Sequence, residues 1–392
     1  MSSTLKKVAA GFATAALLVG GVAACSSERG GTTDPTTSAP EETTSAPDET
    51  EEPATASDIT SVGIAMPTKE LERWNRDGAH LESLLKEAGL ETSLQYAENK
   101  VDMQITQLQN MINDGVDVLV VASIDGTALG PVLQTAADND VIVIAYDRLI
   151  NGTENVDYYA TFDNYRVGTF QGEYIVEQLD LDNAEGPFNL EPFAGSPDDN
   201  NAKFFFAGAW DVLKPYIDED KLVTPSGKAP ASNDDWASIG IQGWKSETAQ
   251  SEMQNRLNSF YAGGEKVDVV LSPNDSLALG IAQALDAAGY TPGEDWPILT
   301  GQDADQANVL NILAGKQSMS VWKDTRQLGD RVATMISQLA AGEEVEVNDT
   351  ETYDNGVKVV PSYLLDPTVV VADTVEEILV GSEFYSAEDL GL

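Results

Sequence analysis

Two runs of sequence decide the fold. They are Val116-Asp117-Val118-Leu119-Val120-Val121-Ala122 and Val141-Ile142-Val143-Ile144-Ala145-Tyr146. Both are near-continuous in β-branched residues, with helical sequence between them. Strands buried on both faces read this way, because a parallel sheet carries helices on each side. Upstream, Ser61-Val62-Gly63-Ile64-Ala65-Met66-Pro67 reads as another buried strand. The helix expected from Leu71 to Ala88 stops at Gly89, and Thr92 to Ala97 is a second strand. A second helix places Val101, Ile105, Leu108 and Ile112 at helical spacing and ends at Gly115.

The pattern restarts after Tyr158-Tyr159-Ala160-Thr161-Phe162-Asp163. Strands are expected near Phe188 to Phe193, Lys221 to Thr224, Val267 to Ser272, Ile298 to Thr300 and Met319 to Trp322. Two βαβ series in one chain imply an α/β protein of two doubly wound lobes. Ligands of such sheets bind beyond the carboxyl ends of the strands. Those positions hold Arg73 and Trp74, Asp125, Asp147 and Arg148 in the first series. In the second they hold Asn200, Trp244, Asn274 and Asp275, Gln302 and Asp303, and Lys323. No Ser-His-Asp or Cys-His set and no glycine-rich phosphate loop falls there, so no catalytic residue, cofactor or metal is assigned.

Carboxylates, cations, amides and indoles at strand ends suit a monosaccharide. Each hydroxyl both donates and accepts, and the C–H face of the ring packs on an indole. Taken singly, the same residues have plainer readings. A tryptophan belongs in a core, Asp147-Arg148 forms a surface ion pair, and Asp198 to Asn201 caps a helix. Asp163-Asn164 reads as hinge or helix cap, and His80, the single histidine, has no assigned role.

The N-terminal segment has a different character. Lys6 and Lys7 precede an apolar stretch from Val8 to Gly20, which is too short for an ordinary membrane span. Val22-Ala23-Ala24-Cys25 follows and resembles the lipobox of bacterial lipoproteins, in which the cysteine is acylated after cleavage. Ser26 to Ser57 holds only Ser, Thr, Pro, Gly, Ala, acids and one Arg, including the near-repeat Thr36-Thr37-Ser38-Ala39-Pro40-Glu41-Glu42 and Thr43-Thr44-Ser45-Ala46-Pro47-Asp48-Glu49. Without Val, Ile, Leu or an aromatic it cannot offset its ordering entropy, and a disordered tether spanning about 30 Å is expected. With Cys25 the sole cysteine, no disulfide can form. The formal charge is −43, of which −38 falls beyond the tether. Such a surface repels nucleic acid and anionic lipid.

Beyond residue 61 the chain resembles the sugar-binding proteins of bacterial ABC importers, in the group of xylose-binding and multiple-monosaccharide-binding proteins. The resemblance rests on an ordered set of segments. They include Gly63 to Lys69 with Arg73-Trp74, Ala122-Ser123-Ile124-Asp125-Gly126, Ala145 to Ile150 and Phe162-Asp163-Asn164. Gly195 to Ala202, Gly301-Gln302-Asp303-Ala304 and Asn355 to Ser362 complete it. It implies a type I periplasmic-binding-protein fold, two Rossmann-like lobes joined by three hinge crossings that close on a sugar and dock on a permease. The sugar would be held by Arg73, Trp74, Asp147, Arg148, Asn200, Trp244, Asn274, Asp303 and Lys323. The stretch Pro225 to Gly243 is longer than the pattern and holds Trp236, so Trp236 or Trp244 is the stacking ring.

The expected organisation is a signal peptide over 1–24, then acylated Cys25 and the tether over 25–57. The first lobe would be 58–163 with 325–360, and the second 164–324 with 361–392. The expected protein is a monomeric, lipid-anchored, extracytoplasmic receptor for an aldose such as xylose, glucose, galactose or arabinose, feeding an ABC permease. A sensory receptor signalling through a membrane protein is the alternative. A glycosidase using Asp147 and Asp303 is disfavoured, because a cation beside a carboxyl holds it ionised.

Overall fold

The computed structural model describes residues 59–392, so the expected leader, the acylated Cys25 and the tether lie outside the described residues. The first lobe runs β1 (Ser61–Met66), α1 (Glu72–Glu87), β2 (Glu91–Tyr96), α2 (Val101–Asn113), β3 (Val118–Val121), α3 (Gly130–Ala137), β4 (Ile142–Tyr146) and β5 (Tyr158–Phe162). The second contains α4 (Asn164–Gln178), β6 (Phe188–Pro192), α5 (Asn200–Asp218), β7 (Leu222–Val223), α6 (Ser246–Phe260), β8 (Val269–Leu271), α7 (Asp275–Ala287), β9 (Ile298–Leu299), α8 (Gln306–Leu313) and β10 (Ser320–Trp322). The chain continues with α9 (Thr325–Ala341), β11 (Ser362–Leu365) and β12 (Thr368–Val370).

The first sheet is parallel throughout, in the order β11-β5-β4-β3-β1-β2. Its centre explains the apolar runs. Val118 and Val120 of β3 pack with Leu81 and Leu85 of α1 and Leu328 of α9. Leu119 and Val121 point to the other face, against Leu108 and Met111 of α2 and Leu133 of α3. Alternation therefore persists, but both faces are dry, so both sets must be apolar. The second sheet, β7-β6-β8-β9, repeats the arrangement around its own core, and β10 pairs antiparallel with β12 beside it.

Three crossings join the lobes. The chain leaves β5 at Asp163, whose carboxylate caps α4 by accepting from Arg166 N. It returns after β10 at Asp324, which caps α9 in the same way through Arg326 N. It crosses again at Asp366-Pro367, between β11 in the first sheet and β12 beside β10. The expected third boundary at residue 360 therefore falls short. Ser362–Leu365 pair with Tyr159 to Phe162 of β5, and only the residues beyond Leu365 join the second lobe.

Helices α4 and α5 meet backbone to backbone. A Cβ on Gly168 would stand 1.9 Å from Phe205 O, and one on Gly208 would stand 2.0 Å from Tyr165 O. This close crossing couples the first hinge to the start of α5, where the second lobe enters the cleft.

Candidate functional site

The carboxyl ends of both sheets face one cleft. It is lined by Arg73, Trp74, Asp147, Arg148, Asn274, Asp303 and Lys323, with Trp244 closing one side. These eight expected residues converge from elements more than two hundred positions apart. Gln302, also at a strand end, joins them. With the lobes together the cavity holds only about 30 Å³, well below the usual size of a ligand site.

Opposite charges alternate around it. The Arg73 guanidinium, in the first turn of α1, donates from Nη2 to Asp77 Oδ2 at 3.0 Å and Asp147 Oδ1 at 2.8 Å. Its Nη1 reaches Asp303 Oδ1 of the other lobe at 3.4 Å. Lys323 Nζ stands 3.1 Å from the same Asp303 oxygen. Arg148 donates to Ser123 O at 3.0 Å and pairs across the cleft with Asp199 Oδ2 at 2.9 Å. Both arginines lie over the Trp74 ring, their guanidinium carbons 4.4 and 5.1 Å from its centre.

Burial alone would favour neutral groups here, and the pairing decides the outcome. Burial opposes the Arg73 charge, yet Asp147, Asp77 and Asp303 together raise its pKa well above the ordinary value. Burial likewise opposes ionisation of Asp303, but Lys323 and Arg73 overcome it and hold that carboxyl below its usual range. Asp199 goes the other way. Its burial outweighs Arg148 and raises its pKa.

Three lining residues occupy the left-handed region that non-glycine residues avoid: Asp147 at φ 61°, Trp244 at 56° and Asp303 at 96°. Such conformations persist only where the surroundings over-determine them. For Asp147 the restraint is visible. Its carbonyl accepts from Tyr159 Oη at 2.7 Å, Thr161 Oγ1 at 2.9 Å and Asn201 Nδ2 at 2.7 Å. Trp244 is anchored by Nε1 donating to Asp199 Oδ2 at 3.1 Å, and by its carbonyl accepting from Ser276 Oγ at 2.9 Å. Its ring lies on Gly195, where a Cβ would stand 2.0 Å from the indole. Glycine is needed there for the indole to reach the cleft.

Not every expected residue is brought in. Asn200 opens α5 but lies outside the cleft, at a surface depression with Trp236 and Asp125. Its neighbour Asn201 takes the inward position, and Phe205, one turn on, shares that face. Successive helical residues are turned about 100° apart, so a one-residue error moves the side chain off the face. Asp125 accepts from Thr127 within its own turn. Asp275 turns behind the cleft, accepting from Gln317, Ser320 and Asp305 N. Asp199, Asn201, Phe205 and Leu71 complete the lining and were not singled out by sequence. The i, i+4 spacing of Asn201 and Phe205 was the available signal for two of them.

Four buried polar atoms of lining residues, Arg73 Nε, Trp74 Nε1, Arg148 Nε and Gln302 Oε1, have no hydrogen-bond partner among the described residues, although Arg148 Nε stands in its ion pair with Asp199. Each such atom costs about 1–3 kcal/mol unless something meets it.

Two doubly wound lobes, three crossings and a polar, aromatic cleft between them define a type I periplasmic binding protein. Residues 62–344 match the periplasmic binding protein domain, and the chain belongs to that family. It is 49% identical over 339 residues to the multiple sugar-binding periplasmic receptor ChvE of Rhizobium radiobacter, covering 86% of this chain and 94% of that one. It is 36% identical to the D-xylose-binding periplasmic protein of Escherichia coli strain K12, covering 84% and 92% of the two chains. Among solved structures it is similar to an ABC transporter solute binding protein from Clostridium phytofermentans with bound β-D-glucose. That match has a TM-score of 0.80 and 52% identity, and covers 84% of this chain and all of that one. These relatives are binding proteins, not enzymes.

Proposed function

We propose that the chain is an extracytoplasmic solute-binding protein that captures an aldose monosaccharide by closure of its lobes and delivers it to an ABC permease. The observation that carries this reading is the cleft itself: indoles from opposite lobes, alternating ion pairs, and buried polar atoms that a hydroxyl-bearing ring would satisfy. Relatives named for sugar binding at 49% and 36% identity support it, as does the glucose-bound structure at 52%.

Arg73, Trp74, Asp147, Arg148, Trp244, Asn274, Asp303 and Lys323 would contact the sugar, joined by Asn201 in place of Asn200. A sugar has about 10–12 heavy atoms, and micromolar binding needs about 8 kcal/mol, near 0.7–0.8 per atom. That efficiency calls for enclosure by both lobes. Contacts such as Arg73–Asp303 and Arg148–Asp199 join the lobes only when they are together. A ligand touching both sides would bias the hinges towards that state. Acylation at Cys25 would hold the lobes at a membrane surface, near the permease.

The test is a thermal-shift and calorimetric screen with D-xylose, D-glucose, D-galactose and L-arabinose. A ligand that binds only the native state must raise its melting temperature. Failure of all four to shift the melt or give heat would reject the reading. Fatty-acid labelling that survives Cys25→Ala would reject the anchor.

A further inference from the structure

Beside the cleft lies a second, larger space of about 440 Å³, and the two share three residues: Leu71, Arg148 and Trp244. The outer groove is lined from the first lobe by Glu98 and Asn99, and from the second by Ser196, Asp198, Gln242 and Lys245. Carboxylates, amides, a hydroxyl and an ammonium group at such a surface can hydrogen-bond the hydroxyls of another ring.

Of the three shared residues, Arg148 and Trp244 are tied down by Asp199, which takes an ion pair from one and a hydrogen bond from the other. Leu71 is the apolar member. It sits at the N-cap of α1 in extended conformation, at φ −93° and ψ 125°, and its side chain makes no cap hydrogen bond. It packs against the core of its own lobe and also against that of the second lobe. With the lobes together, its isobutyl group therefore stands in the wall between cleft and groove.

We propose that Leu71 is a specificity-determining gate that limits the ligand to one ring, and that the outer groove is the subsite for the next ring of a disaccharide, shut off by this side chain. The proposal rests on the monosaccharide reading of the inner cleft. Its physical basis is steric. Of the three side chains in the wall between cleft and groove, Leu71 alone is held by no ion pair or hydrogen bond, so trimming it opens the wall without changing a polar contact of Arg148 or Trp244.

The test compares D-xylose and D-glucose with xylobiose and cellobiose by calorimetry, on the wild-type protein and on Leu71→Ala. The wild-type protein is expected to bind a monosaccharide and to hold its disaccharide at least about 100-fold more weakly. In Leu71→Ala that gap should narrow to about 10-fold or less, while monosaccharide affinity changes by less than about 10-fold. Adding Lys245→Ala should then weaken the disaccharide and leave the monosaccharide unaffected. A wild-type protein that binds disaccharide as tightly as monosaccharide overturns the gate without recourse to any variant. So does a Leu71→Ala protein that binds monosaccharide but gains no disaccharide. A wild-type protein that binds neither overturns the sugar reading, and the gate with it.

Discussion

At the scale of single residues, Asp199 organises one side of the cleft, since it holds both Arg148 and the Trp244 indole. Trp244→Ala and Arg148→Ala are each expected to weaken aldose binding at least about 100-fold, nearly 3 kcal/mol, while the fold survives. Calorimetry beside circular dichroism checks this, and unchanged affinity in both variants would break the site assignment. The two adjacent asparagines make a sharper comparison. Asn200→Ala should leave affinity within about twofold, being off the inward face. Asn201→Ala removes a donor to the Asp147 carbonyl and should cost about 1–3 kcal/mol of binding. The reverse order would restore Asn200 to the cleft.

Among elements, the α4–α5 crossing carries the largest consequence. Gly168 stands where any Cβ would meet Phe205 O at 1.9 Å and Ala209 N at 2.8 Å, both backbone atoms that cannot swing aside. Gly168→Ala should separate the helices and destabilise the protein by about 1–3 kcal/mol. Gly130, at the start of α3, has nothing within 4 Å of its would-be Cβ. Gly130→Ala is accordingly expected to be neutral or stabilising by up to about 1 kcal/mol. Urea unfolding of the two variants distinguishes packing from propensity, and equal stabilities would refute the packing argument. Sequence showed the elements of both lobes because buried parallel strands and amphipathic helices carry strong periodicities. It did not show β11 and β12. Ser362–Leu365 is a half-buried edge strand, and three residues of β12 are too few for a pattern.

For the whole molecule, charge governs the response to pH. Asp305 is pushed up to about 7 by burial, and further by Asp303 and Glu72, against the pull of Arg76. In the unfolded chain an aspartate titrates near 3.9. Between those values the folded protein keeps a proton that the unfolded chain has released. Stability from this group is therefore complete below about pH 4 and is lost as pH rises through 7, at no more than about 1.4 kcal/mol per unit. Asp77, Asp199 and Asp275 are also raised, each chiefly by burial, and act in the same direction. Repulsion within a chain of formal charge −43 adds to it. The melting temperature without sugar should fall from pH 5 to pH 8, and Asp305→Asn should flatten that slope. A slope unchanged by the substitution would remove Asp305 as its source.

The two-lobed parallel architecture and the positions of Arg73, Asp147, Arg148, Asp303 and Lys323 were determined by sequence alone, because a strand end is a place in the chain as well as in space. The tertiary structure decided what depends on direction. It turned Asn201 inward and Asn200 outward, and chose Trp244 over Trp236 for the cleft by laying its ring on Gly195. It added Asp199, whose role exists only because Arg148 and Trp244 approach it from different elements. It also put Leu71 between two cavities. Those facts follow from which face a helix presents and what packs against it, and no local run of residues contains that information.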